Sequence, residues 1–214
     1  MALEIERRFL VREPCAAFAV AVRRHRLTQG YFGHIDELRI RIRILSDTSG
    51  DCAALLTLKG ARRGLCRLEY EYPLALDAAR SALITLPLAQ IIRKIRYEIH
   101  NHDGRVWSVD RFQGPNSRLV LAEVELAHPD QQIERPSWVG KEVTFDPRYS
   151  NSQLARFPLR RFHNTPCAEA NVDPPVRLVA FAPEGPNLCE VEPHAGGSYP
   201  AREELSIFDQ RRGG

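Results

Sequence analysis

Lysine is almost missing from this chain. Lys59, Lys94 and Lys141 are the only three among 30 basic residues, and the other 27 are arginine. Long apolar runs are missing too. No stretch of eighteen apolar residues occurs, so no transmembrane helix is expected. The N-terminus has no basic segment followed by an apolar one, so no secretory signal is visible and the chain reads as cytoplasmic. The cysteines (15, 52, 66, 167 and 189) are odd in number and scattered, with no C-x-x-C. That pattern fits reduced structural thiols better than a disulfide framework or a zinc site. There is no P-loop, no G-x-G-x-x-G, no H-E-x-x-H and no G-x-S-x-G, so nucleotide-loop, zinc-peptidase and nucleophilic-serine readings have no support. A net charge of +3 is too small to point to nucleic acid.

What is present divides near residue 163. Residues 163–214 hold 7 of the 15 prolines and several Gly-Gly and Asp-Pro-Pro breaks, so they read as a mostly irregular tail, with one short strand candidate at 176–182. Residues 1–162 read as one domain of strands with a few helices. Strand-like alternation covers 3–11, 27–32, 37–45, 54–60, 65–74, 91–100, 106–114 and 119–127. Helical spacing covers 12–26 and 76–86, and 150–157 reads as a terminal helix capped by Ser150 or Asn151. "NHDGR" before residue 106 is a hairpin turn, and "ARRG" at 61–64 is another. About eight strands with two or three helices predict an α+β, mainly β, antiparallel barrel or sandwich.

The charges obey the strand period. Residues i and i+2 share a face. Glu4 and Glu6 therefore lie together, as do Arg39, Arg41 and Arg43; Arg67, Glu69 and Glu71; Lys94 and Arg96; and Glu123 and Glu125, with Lys59 and Asp110 on further strands. The opposite faces are apolar. A sandwich with wet outer faces explains any one of these strands. It explains the set less well, because carboxylate pairs and basic runs are segregated by strand. Two carboxylates at i and i+2 stand roughly 6.5–7 Å apart. At an effective dielectric near 20 they repel by about 2–3 kcal/mol, which a concave site must offset with cations. A closed barrel with a polar interior satisfies this, with helices and loops covering its apolar outside. Carboxylates suit a hard divalent cation such as Mg²⁺ or Mn²⁺, and arginine and lysine clusters suit phosphate oxygens. An extended nucleic-acid surface has no use for six such glutamates.

In order along the chain stand "EIERRFLV", "QGYF", "LRIRIR", "LTLKG", "RLEYEY", "RKIRY", "VDRF", "AEVEL" and "WVGKEVTFDPRYSN". This set resembles the CYTH domains, or triphosphate tunnel metalloenzymes, over about residues 1–160. The resemblance implies an eight-stranded antiparallel closed barrel, a triphosphate tunnel, with a few flanking helices. It implies Mg²⁺ or Mn²⁺ bound by Glu4, Glu6, Glu69, Glu71, Glu123 and Glu125, with Asp110 in support. It implies a triphosphate clamp of Arg8, Arg39, Arg41, Lys59, Lys94 and Arg96, with Arg43 and Arg67 as further members. The implied activity is metal-dependent hydrolysis of a triphosphate, inorganic tripolyphosphate first, with Glu4, Glu6 and Lys94 as catalytic candidates and Lys94 as a base for the attacking water. A nucleoside or thiamine triphosphatase, an adenylyl cyclase and a non-catalytic polyphosphate-binding module are the alternatives. Arg8 departs from the family's E-x-E-x-K pattern, because it stands where the lysine does. The expected partner is a small triphosphate-bearing molecule, with no nucleic acid and no membrane; a homodimer is left open.

Overall fold

The structure is a computed structural model that describes residues 2–35 and 37–159. The expected tail at 163–214, with its strand candidate, lies outside the described residues. Nine strands are described: β1 (Ala2–Val11), β2 (Arg23–Ile35), β3 (Leu38–Ser46), β4 (Cys52–Lys59), β5 (Cys66–Pro73), β6 (Ile91–His100), β7 (Val106–Phe112), β8 (Val120–Glu125) and β9 (Val139–Glu142). Three helices accompany them: α1 (Pro14–Ala19), α2 (Leu76–Ile84) and α3 (Asn151–Arg156). Every pairing is antiparallel and the order is β5-β4-β3-β2-β6-β7-β8-β1-β9. A further pairing of β5 with β1 closes the first eight strands into a barrel. That seam is short, running from Ala2 opposite Glu69 to Ile5 opposite Cys66. β9 lies beside the far half of β1, from Phe9 to Val11.

On β1, β6, β7 and β8 most residues of both faces are buried or half-buried, which separates a covered barrel from a sandwich with a wet face, while β5 stays more open. On β1 the inward Glu6 and Arg8 are 6% and 7% exposed, while the outward Phe9 is fully buried. Three apolar clusters account for this. Phe9, Trp107, Val109, Ala122 and Val124 on the barrel exterior pack under Ala17 of α1 and under Trp138 and Val139. Ile42 and Ala54 pack under Ala79 and Leu83 of α2. At one end of the barrel Ile92, Phe112 and Leu121 meet Leu154 and Ala155 of α3. Asn116 fixes α3 there, donating to the Leu154 carbonyl at 2.9 Å and accepting from the Leu159 amide at 3.0 Å. Ser150 caps α3 by accepting from the Gln153 amide.

Two expectations change. The helix over 12–26 is only six residues long, and Arg23–Arg26 instead join β2 opposite Ile95–Glu98. Val20 and Val22 are β-branched, and a short helix with no side-chain cap cannot compete with a sheet ladder. β9 was not anticipated as a strand; four residues are too few to show a period. Cys52 and Cys66 are free thiols and Cys15 is not, so the expectation of reduced cysteines holds for only part of the described set. Among the described residues no helix is long and apolar enough to cross a membrane.

Candidate active site

The barrel encloses a cavity of about 1500 Å³, lined from Arg105 and Val106 at one end to Ser150 and Gln153 at the α3 end. The inward faces bring Glu4, Glu6, Arg8, Arg39, Arg41, Arg43, Lys59, Arg67, Glu69, Glu71, Arg96, Glu123 and Glu125 to its wall. Strand alternation alone does this, because one register keeps each i, i+2 set on the inside.

The wall is an unbroken chain of ion pairs. Lys94 donates to Asp110 at 2.5 Å, and Asp110 also accepts from Arg96 at 2.8 Å. Arg96 reaches Glu123 at 2.8 Å, and Glu123 accepts from Arg8 Nε at 2.8 Å. Arg8 continues to Glu6 at 3.0 Å, and Arg67 joins Glu6 to Glu4. Lys59 links Glu4 at 3.0 Å to Glu69 at 2.6 Å. Arg41 bridges Glu69 and Glu71, and Arg43 ends the chain on Glu71 at 3.0 Å. Like-charge repulsion between the glutamates is thereby offset pair by pair. Arg8 spans three acceptors at once, since its third branch donates to the Tyr149 carbonyl at 3.2 Å. A lysine has one nitrogen and no such fork, so at this position arginine serves the wall as lysine could not.

Across strands, facing charges are mostly opposite: Glu4 with Arg67, Arg8 with Glu123, Lys59 with Glu69, Arg96 with Asp110. Two facing pairs are alike. Glu6 stands opposite Glu125, and Arg39 stands opposite Lys59. Like charges directly opposite destabilise a sheet. Glu6 and Lys59 are offset by their own ion pairs, which leaves Glu125 and Arg39 as the members able to take an ion of the other sign. The Glu125 carboxylate accepts no side-chain hydrogen bond among the described residues. Glu125 is exposed at the wall, and partial desolvation there, then the charges of Glu4 and Glu6, push its carboxyl upward. Arg39 has no ion-pair partner among the described residues, and the buried Arg43 Nε has no acceptor.

Titration follows the same geometry. Glu4 and Glu69 share Lys59. Burial and then the hydrogen bond with Glu4 outweigh Lys59 and push Glu69 up to about 7. Burial opposes ionisation of Glu4, but Arg67 and Lys59 hold it far below the usual carboxylate range. Burial also works against Glu123, and Arg8, Lys94 and Arg96 together keep it ionised. Lys94 is pushed down to about 8 by burial, against the pull of Asp110.

Two expected site residues are elsewhere. Lys94 and Asp110 are each 1% exposed and stand behind the lining. The Lys94 ammonium donates to Asp110, and Asp110 also accepts from Arg96. Their place is beneath Arg96, which they aim. The reverse also occurs: Arg62, Gln29, Tyr31 and Thr144 line the cavity unforeseen. Arg62 belongs to "ARRG", where a turn signal says nothing of side-chain direction. Thr144 lies within "WVGKEVTFDPRYSN", and its hydroxyl accepts from the Arg8 amide at 3.0 Å.

Among the described residues no three carboxylate, imidazole or thiol groups converge at ligating distance. The wall carboxylates are instead turned toward cations. The donors present are nevertheless all carboxylate oxygens, the kind hard divalent cations take, and Glu125, facing Glu6, is a wall carboxylate with no cation partner among the described residues.

Comparison with known proteins agrees with this geometry. An inorganic triphosphatase of Acetivibrio thermocellus is 36% identical over 162 residues, spanning 76% of this chain and 99% of that protein. An inorganic triphosphatase of Nitrosomonas europaea is 35% identical over 156 residues, spanning 71% of this chain and 96% of that protein. A crystal structure of an inorganic triphosphatase, 30% identical, superposes with a TM-score of 0.50 over 73% of this chain and 96% of its own. The CYTH domain family model matches residues 2–157. A closed eight-stranded barrel with a charged interior, matched over nearly its whole described length, makes this chain a member of the CYTH domain family.

Proposed function

We propose that this protein hydrolyses inorganic triphosphate inside the barrel, releasing orthophosphate and diphosphate. The observation that carries the reading is the pair of wall charges without a counter-ion among the described residues: Arg39, opposite Lys59, for an anion, and Glu125, opposite Glu6, for a cation. The activity of two relatives covered almost end to end supports the choice of substrate.

Arg39, Arg41, Arg43, Lys59, Arg67 and Arg96, with Arg8, would hold the phosphate oxygens and stabilise the charge that spreads over the transferring phosphoryl and the leaving diphosphate. Water attacks the terminal phosphorus, the bond to the bridging oxygen breaks, and that oxygen leaves with diphosphate. Glu6 and Glu125, flanked by Glu4 and Glu123, would hold Mg²⁺ or Mn²⁺, which when bound supplies charge neutralisation and a polarised water. Glu69 and Glu71 are bound by Lys59, Arg41 and Arg43 and orient those cations. Lys94 and Asp110 fix Arg96 from behind.

The test is phosphate release from tripolyphosphate with Mg²⁺ or Mn²⁺, beside ATP assayed for both phosphate and cyclic AMP, with Glu6→Ala as the blank. Orthophosphate from tripolyphosphate, absent in the blank, is expected. Cyclic AMP as the main product, or a blank as active as the parent, would sink the proposal.

A further inference from the structure

Three guanidinium groups meet on one carboxylate oxygen. Glu6 Oε1 accepts from Arg62 Nη2 at 2.9 Å, Arg8 Nη2 at 3.0 Å and Arg67 Nη2 at 3.3 Å. One negative charge cannot balance three positive ones. Two of the three have a second anchor: Arg8 holds Glu123, and Arg67 holds Glu4. Among the described residues Arg62 has only Glu6 and a backbone carbonyl, Thr144 O, at 3.2 Å. Its Nε is buried without an acceptor. Arg8 and Arg67 are also carried by strands, whereas Arg62 sits in the hairpin between β4 and β5, four residues before Cys66. Of the three cations it is the one the fold leaves able to change partner.

We propose that Arg62 is a substrate-binding residue that trades Glu6 for a phosphoryl oxygen, removing one of the three cations that compete with a divalent metal for Glu6. The proposal rests on the function proposed above and deepens it by adding a residue to the anion clamp. Metal and triphosphate then favour each other's binding: the metal takes the carboxylate that the arginine releases, and the phosphate takes the arginine. Linkage requires the effect to be reciprocal. In the absence of phosphate, Arg62 competes with metal for Glu6. Removing its charge must therefore help metal alone and harm triphosphate alone.

Two calorimetric titrations of the full chain test this, on the parent, Arg62→Gln and Arg62→Lys. One uses Mn²⁺ without phosphate, the other tripolyphosphate in EDTA. Arg62→Gln is expected to bind Mn²⁺ about threefold tighter or more and tripolyphosphate about tenfold weaker, the loss of one charge-assisted contact. Arg62→Lys, which keeps the charge and guards against a mere folding defect, is expected between the two. Affinities that fall together make Arg62 a structural staple and overturn the proposal. So do affinities that do not change, or Mn²⁺ binding detectable in none of the three. If the parent releases no phosphate from tripolyphosphate, the proposed function fails, while the opposed signs of the two titrations still decide the role of Arg62.

Discussion

Asp110 supports two cations with one carboxylate and is sealed from water while doing so. Removing one partner of such a buried group leaves the others uncompensated, which costs about 3–5 kcal/mol. Asp110→Asn should lose that much in urea unfolding, and adding Lys94→Met should recover part of it. A loss below about 1 kcal/mol would show that the cluster relaxes to solvent instead. Glu69 makes a second residue-scale prediction. Its folded value near 7 lies above its ordinary 4.5, so between those limits the folded chain holds a proton that the unfolded chain has released. Its contribution to stability is complete below pH 4.5 and is lost as pH rises through 7. Glu4, depressed, contributes in the opposite sense, above its ordinary value. In metal-free buffer the parent should therefore lose stability between pH 5 and 7 relative to Glu69→Gln. Parallel urea midpoints for the two across that range would refute the assignment. Lys94 illustrates the limit of reading single residues. Its rarity as a lysine was visible in the chain, but that its ammonium faces Asp110 and not the cavity depends on β6 and β7 lying side by side.

Among the elements, strand alternation was legible because β1, β3, β6 and β7 repeat every two residues, and the pleat turns that repeat into two faces. Which face is inside was not legible from any one strand, since a wet outer face and a charged lumen have the same pattern. Only the sorting of glutamates and arginines among strands favoured the lumen. α1 was overextended because a helix-compatible pattern at 20–26 carries no information about the β6 backbone waiting beside it. β9 is held by backbone closeness. A side chain on Gly140 would place its Cβ 2.9 Å from the Leu10 carbonyl oxygen, and backbone cannot give way there as a side-chain tip could. Gly140→Ala should cost about 1–3 kcal/mol by this overpacking. It should also raise hydrogen exchange at Val139 and in the second half of β1 while sparing β3 and β4. Uniform exchange across the barrel would show that β9 is not a separate contact.

For the whole molecule, the apolar clusters lie outside the barrel wall or at its α3 end, and the charged lumen satisfies itself through its chain of ion pairs. The fold therefore does not wait for metal, unlike small domains whose metal site is their core. Stripping divalent cations with EDTA is expected to abolish phosphate release while leaving the circular-dichroism spectrum intact and the melting temperature within a few degrees, about what 1 kcal/mol moves in a domain of this size. Cooperative unfolding on chelation would place a metal in the fold itself. High salt should act on the lumen less than on surface pairs, because its charges are largely shielded from mobile ions.

The pairing of β1 has a consequence in time. The strand that carries Glu4 and Glu6 is made first, yet its partners are Cys66–Glu69, Leu121–Glu125 and Val139–Glu142. A growing chain can assemble β2 to β5 and then β6 to β8 by neighbouring hairpins, with β2 and β6 joining the two groups, while β1 lacks its β8 side until residue 125 is made. Contacts this far apart in sequence make closure the slow event. Until residue 142 is available, the two acidic side chains have a strand but no full enclosure, so β1, made before all its partners, is the last of these strands to be joined on every side.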